Sequence, residues 1–217
     1  MLFNRRKLEM PTPDQALKGH TEQWFTLAEH HVVLGTPVVT NADNIPAGHE
    51  VAVFGLGCFW GAEEIFWRMP GVWSTSVGYA GGTTPHPSYE EVCSGQTGHT
   101  EAVRVVFDPS TVAYADLVKA FFEFHDPTQG MRQGNDIGTQ YRSAIYTLND
   151  EQVETAKRLR AAYEPLLLER GYGAITTEIK PSPTYYYAED VHQQYLAKHV
   201  NGYRCHSATG VPFPQDV

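Results

Sequence analysis

The chain has 217 residues, 41% of them hydrophobic, which is enough apolar material for one packed core. A formal net charge of −9 excludes nucleic-acid binding driven by counterion release. Three cysteines with no C-x-x-C pair exclude a secreted disulfide framework and a paired-cysteine zinc knuckle, and no segment is apolar for the length that a membrane span needs. No leader is read in the first 15 residues, so the expectation is a cytoplasmic protein.

Residues 1–48 are rich in Thr, Asn, His and Pro without a clear period, and read as an arm that wraps a domain spanning 49–200. Residues 50–56 are a short apolar run ending in Gly55 and Gly57, the pattern of a buried strand. From Cys58 the period changes: Phe59, Ala62, Phe66 and Met69 form one helical stripe, which Pro70-Gly71 stops. Residues 72–79 predict a second strand and 80–98 a long polar loop of the kind that often binds ligands. A third strand follows at 100–107 and a helix at 114–124, ended by His125-Asp126-Pro127. Residues 128–142 form a second Gly-rich loop and 143–146 a short strand. Asn149 caps a long helix, with Gln152 placed as in a capping box, Pro165 as a kink and Gly171 closing it. A strand at 174–179, a helix at 188–198 and an irregular tail at 201–217 complete the chain. Alternating strands and helices make this a mixed α/β architecture, a sheet covered by helices.

The most informative segment is Gly57-Cys58-Phe59-Trp60-Gly61. A strand ends, a glycine turns the chain, and a cysteine opens a helix. The first N–H groups of a helix lack internal partners and carry partial positive charge, so they favour a thiolate. That makes Cys58 a candidate nucleophile; the plainer reading is a small buried hydrophobe. The flanking glycines, which let a substrate approach the backbone, favour the first. Phe59 lies on the core stripe, whereas Trp60 lies off it with Glu63, Glu64 and Trp67, and an aromatic pair beside a nucleophile suits a methyl group. On the third strand Glu101 alternates with Val103, Val105 and Phe107. A carboxyl on that apolar face is either desolvated, which raises its pKa and makes it an acid, or stays in water at the strand mouth.

Tyr89, Asp136 and Tyr141 lie in or beside the two polar loops, each able to hydrogen-bond a polar substrate oxygen or to serve as surface and turn chemistry. Cys205 in the tail is either a thiol able to swing to Cys58 and form a disulfide or an idle one, and Cys93 in the first loop is either a second resolving thiol or, the favoured reading, inert. Ten histidines show no H-x-x-x-H or H-E-x-x-H spacing, so no zinc site is expected, and His192 reads as a surface or capping residue.

Taken together, GCFWGAEEIFW from Gly57, GYAGG from Gly78, PSYEEVCSGQTGHTEAVRVVFDP from Pro87, HDPTQGMRQGNDIGTQYRSAIY from His125, YYYAEDVHQQYL from Tyr185 and the NGYRCH tail resemble peptide-methionine (S)-S-oxide reductase, the A-type methionine sulfoxide reductase. The resemblance runs from about residue 51 to 206 and leaves the first 48 residues aside. It implies a two-layer α/β plait and a repair enzyme for the S epimer of methionine sulfoxide, free or in proteins, with no metal or organic cofactor. Cys58 would attack the sulfur, Glu101 would protonate the oxygen, Phe59 and Trp60 would hold the methyl group, and Tyr89, Asp136 and Tyr141 would orient the oxygen. A sulfenic acid on Cys58 would be resolved by Cys205 and the disulfide recycled by thioredoxin or a similar thiol reductant. A monomer is expected. Two other readings remain at this point: a cysteine acyl-transfer enzyme with a histidine base, and a binding module for Met or aromatic peptides.

Overall fold

In a computed structural model the protein is described for residues 8–204 and 207–214. Among the described residues eight strands occur: β1 Glu50–Leu56, β2 Val72–Ala80, β3 Thr100–Phe107, β4 Arg132–Gln133, β5 Asp136–Ile137, β6 Ser143–Thr147, β7 Glu178–Pro181 and β8 Tyr185–Tyr187. The helices are α1 Phe59–Trp67, α2 Tyr89–Cys93, α3 Tyr114–Glu123, α4 Asp150–Glu169 and α5 Tyr195–Lys198. Six strands form one mixed sheet in the order β7-β6-β1-β3-β2-β8, with β6 and β7 parallel and the other neighbours antiparallel. β4 and β5 make a separate hairpin.

The sheet divides its side chains by alternation. Phe54 of β1 and Val103, Val105 and Phe107 of β3 face the main core, where they meet Phe66 of α1, Leu117 and Phe121 of α3, and Leu159 of α4. Phe54 stacks on Phe66 at 5.0 Å and lies 5.6 Å from Phe121, so one ring ties two helices to the central strands. A smaller cluster of Val53, Ala80, Ala102, Ala144 and Tyr146 faces the other way.

Several elements differ from the sequence reading, each for a local reason. The loop at 80–98 contains α2, started by a capping box in which Ser88 Oγ accepts from Glu91 N and Glu91 Oε2 accepts from Ser88 N. The loop at 128–142 holds the β4–β5 hairpin and a 3₁₀ turn at Thr139–Tyr141. α4 is capped by Asn149 Oδ1 and runs through Pro165 to Glu169 as read, but Gln152 Oε1 reaches back to Leu148 N, one residue before the cap. On α1, Glu63 and Trp67, which lie off the core stripe, are also buried, because the arm covers that side: His31 sits edge-on to Trp67 at 5.8 Å. The strand expected at 174–179 begins only at Glu178, since Thr176 N pairs with Pro127 O outside the sheet. The tail is packed at Val211 and Phe213, with Phe213 stacked on Tyr163 at 5.0 Å and Tyr163 Oη donating to Val211 O at 2.6 Å.

Before β1 the chain runs along the β2 and β8 side of the sheet. Ser74 Oγ donates to Pro37 O, Ala28 N donates to Asp190 Oδ1, and Thr40 is bonded to the Tyr187 hydroxyl through both its N–H and its carbonyl. No helix among the described residues is long and apolar enough to cross a membrane.

Candidate active site

β1 leaves the sheet at Gly57, whose φ of +96° L side chains rarely adopt. A Cβ there would lie 2.7 Å from Gln133 Cγ. Gln133 cannot easily yield, since its amide bonds Asp126 at both N–H and carbonyl. The next residue, Cys58, is the N-cap of α1 and makes no side-chain capping bond. It is 8% exposed and lines a groove of about 480 Å³ together with Leu56, Ala62, Ile65, Met69 and Phe124.

Glu101 approaches the same helix end from β3. Its Oε2 accepts the Phe59 N–H at 3.0 Å, taking one of the first-turn donors that have no helical partner. The side chain is 1% exposed, so of the two readings of this carboxyl the desolvated one holds. Burial raises its pKa to about 8, the Phe59 N–H opposing the rise and the Asp136 carboxylate adding to it.

An aromatic wall stands beside this pair. Phe59 lies 5.9 Å from Tyr79 and 6.4 Å from both Trp60 and Tyr89. Trp60 stacks on Tyr195 at 4.0 Å and runs nearly parallel to Tyr89 at 6.4 Å. His192 packs on Tyr89 at 4.3 Å, and its Nδ1 accepts from Trp60 Nε1 at 3.3 Å. The expectation that His192 is a surface or capping residue is therefore corrected: it is 9% exposed and burial lowers its pKa against the pull of Glu189. The reason is that 188–198 is not one helix. Residues 190–194 form turns, and only Tyr195–Lys198 is helical, so the chain carries His192 inward. Glu189 accepts from the Tyr79 hydroxyl and from Tyr89 N, both at 2.8 Å, fixing the start of α2. Tyr79, Glu189, His192 and Tyr195 were not singled out from the sequence as site residues; for the last three the signal available was the polar, aromatic density of YYYAEDVHQQYL.

Tyr89 and Tyr141 have hydroxyl pKa values raised by burial and, next, by the Glu101 carboxyl, so both stay protonated donors near it. Asp136 Oδ1 accepts from Tyr203 Oη at 3.1 Å, and its Oδ2 is buried with no partner among the described residues. Cys93 ends α2 and hydrogen-bonds Tyr89, which sets it beside the pocket. Cys205 lies outside the described residues. Its described neighbours are anchored close to the first turn of α1: Arg204 pairs with Glu64 through Nε to Oε2 at 2.9 Å, and Ser207 bonds the Gln133 amide that lies against Gly57. The structure thus gathers Cys58, Phe59, Trp60, Tyr89, Glu101, Asp136 and Tyr141 in one region. No group of three or more His, Cys, Asp or Glu is placed to hold a metal ion among the described residues.

The chain is similar to known proteins along most of its length. Residues 50–212 match the family model described as peptide methionine sulfoxide reductase. A protein of Salinispora arenicola named peptide methionine sulfoxide reductase MsrA is 57% identical over 219 residues, covering 100% of this chain and 98% of that one. The structure titled methionine sulfoxide reductase A of Corynebacterium diphtheriae superposes with a TM-score of 0.84 at 46% identity, covering 94% of this chain and 99% of that one. Mxr1 of Saccharomyces cerevisiae in reduced form gives 0.69 at 34% identity over 75% of this chain and 93% of that one. Mxr1 in complex with Trx2 gives 0.50 at 21% identity, a likeness of fold, over 75% of this chain and 91% of that one.

Proposed function

The chain belongs to the peptide methionine sulfoxide reductase family, and from that premise we propose that it reduces the S epimer of methionine sulfoxide, free or in proteins, with Cys58 as nucleophile and Glu101 as acid. The observation that carries this reading is the 3.0 Å bond from Phe59 N–H to Glu101 Oε2, which brings a buried carboxyl to the helix turn opened by the cysteine. In the proposed cycle the Cys58 thiolate attacks the sulfoxide sulfur while Glu101 gives its proton to the oxygen. The oxygen ends on Cys58 as a sulfenic acid and methionine leaves; the substrate sulfur gains two electrons and the cysteine sulfur loses two. The Cys205 thiol then attacks Cys58, water departs and a disulfide remains.

Phe59 and Trp60 take the methyl group against their faces, and Tyr89, Tyr141 and Asp136 orient the oxygen, partly through water. The anchoring of Arg204 on Glu64 and of Ser207 on Gln133 supports Cys205 as the resolving thiol. A thioredoxin is the proposed reductant; a yeast relative has been seen with Trx2. The protein acts as a cytoplasmic monomer in this reading.

The test is turnover of the two enantiomers of methyl p-tolyl sulfoxide with dithiothreitol. S-selective reduction that disappears in Cys58→Ser is expected; equal consumption of both enantiomers, or a fully active serine variant, removes the proposal. Mass spectrometry of the protein after one substrate equivalent should find a Cys58–Cys205 disulfide.

A further inference from the structure

One side of the aromatic pocket is built from a segment with almost no regular structure. Gln194 joins His192, which packs on Tyr89, to Tyr195, which stacks on Trp60. It does so with φ +47° and ψ +41°, the left-handed conformation that is costly for any residue with a Cβ. A residue held there needs partners that fix it, and Glu63 supplies them. Glu63 Oε2 accepts from Gln194 N at 2.8 Å, and its Oε1 accepts from Gln194 Nε2 and from Thr75 Oγ1, both at 2.9 Å.

The chain of donors extends to the N-terminal arm. His31 Nδ1 accepts from the N–H groups of Val33 and Leu34, each at 3.1 Å, so the ring proton sits on Nε2. Nε2 therefore donates to Thr75 Oγ1 at 2.8 Å, and the Thr75 hydroxyl passes its own hydrogen to Glu63. Glu63, Thr75 and His31 are all sealed from solvent, so they reach a substrate only through what they hold in place.

We propose that Glu63 is a positioning residue for the sulfoxide pocket: by holding both the backbone and the side-chain amide of Gln194 it fixes the His192 and Tyr195 wall against Trp60, and the arm takes part through His31 and Thr75. The inference rests on the reading of the site given above. Glutamine at 63 has one acceptor oxygen where the carboxylate has two, so at least one of the three present donors loses its acceptor, and a buried donor left unpaired is unfavourable. Thr75→Val removes the hydroxyl link alone and keeps the shape.

The experiment measures KM and kcat for the S enantiomer of methyl p-tolyl sulfoxide with dithiothreitol in the full-length wild type, Glu63→Gln and Thr75→Val. KM is expected to rise about tenfold in Glu63→Gln and about threefold in Thr75→Val, with kcat within about twofold of wild type, the pattern of lost ground-state binding. An unchanged KM overturns the role: with kcat also unchanged Glu63 does nothing for the pocket, and with kcat reduced it only maintains the folded fraction. If Glu63→Gln does not fold, Thr75→Val decides by the same criterion. A wild type without S-selective turnover sinks the site reading and this inference together, whereas an active wild type with variants of normal KM sinks only the positioning role.

Discussion

Glu101 has two oxygens in different situations. Oε2 accepts the Phe59 N–H, so in the neutral acid the proton belongs on Oε1, the oxygen left to face a substrate. An acid must be protonated to act, and burial holds this one at about 8, so the chemical step should lose rate on its alkaline side as pH rises through that value. Single-turnover methionine release measured against pH tests this. Glu101→Gln, which still donates a hydrogen bond, should lose about tenfold and lack the alkaline limb; Glu101→Ala should lose on the order of a hundredfold. Equal rates in all three proteins would remove Glu101 from the mechanism. At this scale the sequence was informative about direction and silent about cover. Alternation put Glu101 on the face of Val103 and Val105, but only the fold shows that the head of that strand is closed by α1. His192 was missed for a related reason: its neighbours Trp60 and Tyr89 are distant in sequence.

The turn from β1 into α1 is the element on which the site depends, and it was legible because glycine, a change of period and a cysteine coincide there. Gly57→Ala should destabilise the protein by about 1–2 kcal/mol from the left-handed backbone alone, with a further contribution from the Gln133 contact. Urea denaturation measures it, and a two-state loss below about 0.5 kcal/mol would contradict the local geometry. The tail element makes a kinetic prediction. Arg204→Ala removes an ion pair that solvent screens, so the urea midpoint should barely move. Release of the first methionine should be unaffected, while disulfide formation, followed by thiol counting in quenched flow, should slow; an unchanged rate would exclude Arg204 from holding the tail. The segment 188–198 was not legible. Its fold is set by Gln193, whose amide bonds Val77 N and Val77 O and so takes a place beside β2 that a strand would otherwise fill. Side-chain amides that substitute for strand partners leave no period to read.

Across the whole molecule the alternation of strands and helices was visible, but the order β7-β6-β1-β3-β2-β8 was not, because it follows from pairings between distant segments. The buried ionisable groups give a global prediction. His31, His99 and His125 are held at about 4 by burial, below their usual 6.5, so stability rises with pH between those values as the unfolded chain releases protons that the folded one never bound. Glu63 and Glu101 are raised from 4.5 to about 7 and about 8, so the folded state binds more protons there and stability falls as pH rises through that window. Three histidines, joined by His192, whose pKa burial also lowers, outweigh two glutamates below 6.5, and the glutamates alone leave a fall above it. Thermal denaturation should therefore peak near pH 6.5, and Glu101→Gln should flatten the decline toward pH 8; a melting temperature climbing steadily to pH 8 would contradict both assignments. The outer strands of the sheet have a different consequence. β7 is four residues long, ends in Pro181 and carries the Lys180–Glu178 pair, while β8 is three residues long and is strapped by the arm at Thr40. Neither rim offers a run of open backbone to a passing extended chain. These blunted margins keep the sheet from being lengthened by a strand of another molecule, so the fold stays closed at both ends.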